Sequence, residues 1–224
     1  MVEVVTPRLE IRGLGKAFGG TLALSGVDLA IGPGEVHALL GENGAGKSTL
    51  TKIVSGVLRA DAGTLALDGQ PFSPRSPAEA RRAGVAIVHQ EPAVCPHLSV
   101  AENVMLGREP ARFGWVDRPR LRDEARRALE WVAPEFSPDA AMSELGPADV
   151  QLVTLARALA HANCRLLILD EPTSSLAAPE VERLFAVVRR LAESGVAVLY
   201  ISHFLEEVLR IADRYSVLRD GRQV

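Results

Sequence analysis

The chain has 224 residues, of which 47% are hydrophobic and 24% charged, and a formal net charge of −3. That apolar share is too high for disorder, no apolar run approaches the ~18 residues of a membrane span, and a chain this long buries enough surface to fold without disulfide or metal staples. A pI near 6.0, from 25 basic and 28 acidic residues, excludes the electrostatic footprint of a protein held by nucleic-acid phosphates.

In chain order, residues 9–11 and 27–31 read as strands, and Gly32-Pro33-Gly34 as a turn. Residues 35–40 (EVHALL) form a strand-like run that ends in the glycine loop GENGAGKST, and apolar residues at helical spacing follow over 50–57. Residues 65–67 with Asp68-Gly69 predict a strand and a tight turn, and residues 85–88 a short buried strand. The middle changes character: helices are expected over 100–106, 120–132 and 149–159, with Pro- and Gly-bearing breaks at 107–119 and 133–147. The arginine-rich stretch 118–127 reads as the solvated face of an amphipathic helix whose other face carries Leu121, Ala125, Ala128, Leu129 and Val132. Two strand–helix units then follow, 166–169 with 178–193 and 196–201 with 204–212, and 215–218 is strand-like. Strands alternating with helices imply a parallel sheet covered on both faces. The expected architecture is an α/β core with a β-rich start and a helical insertion at about 92–160.

Gly41-Glu42-Asn43-Gly44-Ala45-Gly46-Lys47-Ser48 fits GxxxxGK[ST] after a strand and before a helix, the context that gives the motif its meaning. Glycines let backbone N–H groups turn around a chain of phosphates, and the helix start adds partial positive charge. Lys47 is placed to bridge the β- and γ-phosphates, and the Ser48 hydroxyl to ligate Mg²⁺. Gly41, Asn43, Gly44, Ala45, Gly46, Lys47, Ser48 and Thr49 are the candidate nucleotide-binding residues. A phosphate loop alone leaves kinase, switch GTPase and motor open. The run Leu166-Leu167-Ile168-Leu169-Asp170-Glu171 narrows the choice, because it ends a buried strand in two carboxylates. Asp170 would hold Mg²⁺ through its water shell, and Glu171 can reach a water in line with the γ-phosphate. A base there points to hydrolysis.

With Gln90 in VHQEP, Ser174-Ser175-Leu176 after the acidic pair, and His203 in YISHFLEEV, the order of motifs resembles the ATP-binding cassette (ABC) transporter ATPases over essentially the whole chain. The resemblance implies an α/β fold, a P-loop NTPase core with a mostly parallel sheet, an N-terminal antiparallel β subdomain and an inserted α-helical subdomain, with ATP and Mg²⁺ as ligands. It gives Gln90 the sensing of Mg²⁺ or the attacking water, and His203 the task of holding the γ-phosphate and Glu171 in register. It also matches Phe18, in KAFGG, to the aromatic that stacks on adenine. Finer wording (LSVAENVMLGREP, FGWVD, VLRDGR) looks like the N-terminal cassette of sugar-import ATPases for ribose, xylose or galactose, which carry two cassettes in one polypeptide. The implied partners are a second cassette, an integral membrane permease and, indirectly, a periplasmic or extracellular sugar-binding protein. The implied location is the cytoplasmic face of the membrane. Only one cassette is present, so the chain is expected to be one part of a longer polypeptide.

One segment departs from the family pattern. The LSGGQ-like signature falls on Leu145-Gly146-Pro147-Ala148-Asp149. Its serine is Gly146, without a hydroxyl; Pro147 has no N–H, and Asp149 adds negative charge where phosphate should sit. The position after EPTSSL, normally acidic, is Ala177. A degenerate clamp is expected, with weak hydrolysis by the isolated cassette. The alternative is a nucleotide-binding regulatory or scaffold cassette that hydrolyses little.

Overall fold

Two long strands open the chain in the computed structural model, which describes residues 6–91, 93–160 and 164–224. β1 (Leu9–Phe18) and β2 (Thr21–Ile31) pair antiparallel. The short runs expected at 9–11 and 27–31 are their buried ends. Register shifts beyond Ile11, Leu14 and Lys16 break the period-2 alternation, which is why the full strand length was hidden in the sequence. β3 (Val36–Leu40) is buried at every residue, and α1 (Lys47–Val54) follows the glycine loop. The helix stops short of the expected Val57. Gly56 takes φ 75°, and Gly56 and Val57 donate to the carbonyls of Ile53 and Lys52, a Schellman closure. β4 (Ala62–Leu67) and β5 (Gln70–Pro71) flank the Asp68-Gly69 turn, whose φ angles of 51° and 72° are those of a type I′ hairpin. α2 (Pro77–Arg82), which was not expected, is capped by Ser76, and β6 (Val85–Val88) follows it.

The middle holds α3 (Val100–Val104), β7 (Ala111–Arg112), β8 (Trp115–Val116), α4 (Arg118–Val132), a 3₁₀ turn at Met142–Glu144 and α5 (Pro147–Leu159). The break expected at 107–119 is thus partly structured, by a small β7–β8 hairpin and the first turn of α4. The five apolar residues assigned to the hidden face of α4 are its buried residues. β9 (Leu166–Asp170), α6 (Ala178–Glu193), β10 (Ala197–Ser202), α7 (Leu205–Ile211), β11 (Arg214–Arg219) and β12 (Arg222–Gln223) complete the chain.

One sheet has the strand order β2-β1-β4-β5 and is antiparallel; the other runs β12-β11-β3-β10-β9-β6. In the second, β11–β3, β3–β10 and β10–β9 are parallel, and the short β12 returns antiparallel to β11. This is the mostly parallel core and antiparallel β subdomain expected from the sequence. Val198, Leu199, Tyr200 and Ile201 on β10 are wholly buried. Each apolar side chain sealed there contributes roughly 1.5–3 kcal/mol, so the parallel sheet is the stiffest base on which to mount loops. The chain divides into two compact units, one of 1–87, 164–171 and 188–224, the other of 88–163 and 172–187. The first carries both large sheets, and the second α3, α4, α5 and the start of α6. Among the described residues, no helix is long and apolar enough to cross a membrane.

Candidate functional site

Parallel pairing sets the ends of β3, β10 and β9 side by side: Ser202 is opposite Leu40, and Ile201 opposite both Leu39 and Asp170. The loops that leave these ends carry Gly41–Ser48, Glu171 and His203. The three motifs, far apart in sequence, therefore converge on one sheet edge within the first unit.

The glycine loop is shaped by contacts that allow no side chain. A Cβ at Gly41 would lie 2.5 Å from the Leu218 carbonyl oxygen. One at Gly46 would lie 2.6 Å from the Ala23 carbonyl oxygen, and Gly46 also sits at φ 110° as the N-cap of α1. Gly221, in the turn between β11 and β12, donates to the Ala45 carbonyl (3.0 Å) and accepts from Ser25 N–H (2.7 Å), bracing the loop from behind. That brace joins residues far apart in the chain and has no sequence signature. Asn43 and Ser48 are exposed, Thr49 is half-buried, and Ala45 and Lys47 are buried. Lys47, 6% exposed, donates from Nζ to the carbonyl oxygens of Gly41 (2.5 Å) and Glu42 (3.1 Å). Among the described residues no carboxylate pairs with it. A buried ammonium held only by neutral carbonyls, beside a helix start, keeps its full charge and fits a phosphate anion.

Asp170 ends β9, and Glu171 follows with φ 46°, the left-handed region that non-glycine residues rarely enter. Its N–H donates to the Ile201 carbonyl (3.0 Å), which ties the strained residue to β10. Its Oε1 lies 3.3 Å from His203 Nδ1. The structure thus brings together the carboxylate and the imidazole that the sequence singled out. Behind His203, Glu207 Oε2 accepts from Tyr200 Oη (2.9 Å) and Ser202 Oγ (3.1 Å), and Ser202 Oγ accepts from Phe204 N–H (3.0 Å). These three bonds fix the turn that carries His203. Glu207 was missed because its partners sit on the preceding strand.

Phe18 ends β1 with 47% of its surface exposed, and the Lys16 ammonium lies 5.5 Å from its ring centroid. In the second unit, Gln90 follows β6 and is exposed. Gly146 caps α5 without a side-chain bond, and Pro147 begins the helix. The Asp149 carboxylate, expected to leave a negative charge at this helix start, accepts from Arg183 Nη1 at 2.8 Å. Arg183 also pairs with Glu135 and lies over the Phe136 ring, 5.3 Å from its centroid. One guanidinium is therefore shared between the Asp149 and Glu135 carboxylates, and the negative charge of Asp149 is only partly offset. Among the described residues no cluster of His, Cys, Asp and Glu forms a metal site from protein ligands alone.

The family model described as ABC transporter matches residues 24–174. The ribose import ATP-binding protein RbsA 1 of Rubrobacter xylanophilus is 53% identical over 97% of this chain and 44% of its own length. The ribose import ATP-binding protein RbsA of Chromobacterium violaceum is 51% identical over 96% of this chain and 43% of its own. The chain spans less than half the length of these relatives. Among solved structures, the ADP conformation of an ATP-binding cassette of an ABC transporter has a TM-score of 0.87 at 27% identity, covering 97% of this chain and 89% of that one. The cbiO1 protein from Clostridium perfringens, part of an ABC transporter complex, has a TM-score of 0.84 at 27% identity over 98% of this chain and 87% of its own. Similarity of this extent, in sequence and in fold alike, establishes that the chain belongs to the ABC transporter family, as one of its ATP-binding cassettes.

Proposed function

We propose that this cassette binds and hydrolyses ATP to energise import of a monosaccharide through a membrane permease. The observation that carries the reading is the convergence, at one sheet edge, of a lysine held by backbone carbonyls with the Glu171–His203 pair, whose side chains are 3.3 Å apart. Lys47 and the N–H groups at the start of α1 hold the β- and γ-phosphates. Glu171 accepts the proton of the attacking water, and His203 keeps that carboxylate aimed while contacting the γ-phosphate. Phe18 stacks on the adenine. Within the first unit, Ser48 and Asp170 would hold Mg²⁺, and the ion would supply charge neutralisation to the phosphates. Their hydroxyl and carboxylate are oxygen donors, which suit that hard cation.

Sugar import is supported by the relatives, which are ribose import ATP-binding proteins, and the assembly by the resemblance. A second cassette in the full-length polypeptide completes the nucleotide site, and a permease and a sugar-binding protein supply the transport path. The cassette then works at the cytoplasmic face of the membrane. The test is nucleotide binding and turnover in two variants. Lys47→Ala is expected to abolish binding of ATP. Glu171→Gln is expected to bind ATP normally but lower the rate of hydrolysis by about 10²–10⁴-fold, the usual contribution of a general base. Normal hydrolysis by the Glu171→Gln variant would overturn the assignment of the base.

A further inference from the structure

The last turn of β1 before Phe18 is held by a residue from another strand junction. Asp61, just ahead of β4, makes three bonds to the segment Gly15-Lys16-Ala17. Its N–H donates to the Gly15 carbonyl (2.9 Å), its Oδ1 accepts from Lys16 Nζ (2.7 Å), and its Oδ2 accepts from Ala17 N–H (2.8 Å). These bonds fall beyond the register shift between Arg12 and Gly15, at and past the last β1–β4 pair, Gly15 with Ala62, so the side chain of Asp61 carries the contact on where the ladder ends. Lys16 reaches from this carboxylate to the ring two residues on, its ammonium 5.5 Å from the Phe18 centroid, and its side chain is 15% exposed. Asp61 thus holds Lys16 in place, and Lys16 in turn stands against Phe18.

We propose that Lys16 and Asp61 are positioning residues for nucleobase binding: Asp61 pins the end of β1 and holds the Lys16 ammonium on one face of Phe18, and the base stacks on the opposite face. The chemistry follows from the ring's quadrupole. A cation over one face draws π density toward itself and lowers the negative potential of the other. That face then repels the electron-rich purine less. The carboxylate matters twice, since without it the ammonium would swing into solvent and the Ala17 N–H would lose its partner. Consistent with this geometry, the bonds from Lys16 and Ala17 hold the Asp61 carboxyl below the usual carboxylate range. The inference rests on Phe18 being the stacking residue, and the experiment separates the two.

Affinities for ATP and for inorganic tripolyphosphate, both with Mg²⁺, are to be measured by calorimetry on the whole chain and its variants. Phe18→Ala tests the stacking residue itself: it should weaken ATP, at about 1–3 kcal/mol per stacked base roughly five- to 150-fold, and leave tripolyphosphate unchanged. Lys16→Met should weaken ATP by about two- to fivefold, the size of an exposed cation–π contact, with tripolyphosphate unaffected and Lys16→Arg close to the parent. Asp61→Ala should weaken ATP at least as much as Lys16→Met. If Asp61→Ala fails to fold, Asp61→Asn answers the same question, because its amide oxygen still accepts from Ala17 while the charge that holds Lys16 is gone.

If Phe18→Ala leaves ATP affinity unchanged, the stacking assignment falls, and the inference with it. If Phe18→Ala discriminates between the ligands and the Lys16 and Asp61 variants do not, the positioning role alone is overturned. An equal loss of ATP and tripolyphosphate in Lys16→Met also overturns it, since Lys16 would then act on phosphate.

Discussion

Glycine is used for two different reasons in this molecule, and the difference can be measured. Gly46 has no room for a Cβ and a φ of 110°. Gly46→Ala should therefore destabilise the chain by about 2 kcal/mol or more, through overpacking and backbone strain, as read from a urea midpoint. Gly146 is the opposite case. Its φ is −73°, and a built Cβ meets nothing within 4 Å. Gly146→Ser should leave stability within about 0.5 kcal/mol and restore a hydroxyl at the start of α5. A rise in hydrolysis in that variant would identify the missing hydroxyl as one defect of the clamp; no rise would place the defect at Pro147 or Asp149. The sequence made the phosphate-loop residues legible because phosphate chemistry needs them contiguous. It could not show that Asp149 pairs with Arg183, 34 residues away, since only the tertiary fold brings them together.

At the scale of elements, strands and helices with strong periodicity were readable. The apolar face of α4 and the buried run of β9 follow from spacing alone. Two short elements were not. α2 is only six residues long, too short for an apolar period, although Ser76 and Glu79 stand at capping-box spacing. The β7–β8 hairpin turns on Phe113-Gly114 with φ angles of 54° and 84°; a bulky aromatic where Asn or Asp is usual concealed it. Side-chain links between elements were equally hidden. His37 on β3 is buried, with Nδ1 3.0 Å from Glu35 Oε1 and Nε2 3.0 Å from Ser216 Oγ on β11. Burial outweighs the Glu35 carboxylate and moves the imidazole below its ordinary value of 6.5. A depressed value means that the native state favours neutral His37. Its contribution to stability is present above about pH 6.5 and is lost as pH falls through the folded-state value. Urea midpoints taken from pH 7 to pH 5 should fall more steeply in the parent than in His37→Asn. Parallel slopes would contradict that linkage.

The whole molecule combines a well-formed nucleotide edge on one unit with an altered signature segment on the other. In the head-to-tail pairing that the family implies, each cassette's ATP is clamped by its partner's signature loop. A self-dimer of this chain would supply two altered clamps, whereas a cassette with an intact loop would complete the site built on Lys47, Asp170, Glu171 and His203. The most direct measurement is the steady-state ATPase rate of the purified chain, alone and mixed with a second cassette whose signature is intact and whose own Walker lysine is replaced by alanine. The chain alone should turn over slowly, and the mixture should hydrolyse ATP at a rate that Lys47→Ala in this chain abolishes. Robust turnover by the chain alone, itself lost in Lys47→Ala, would contradict the dependence on a partner.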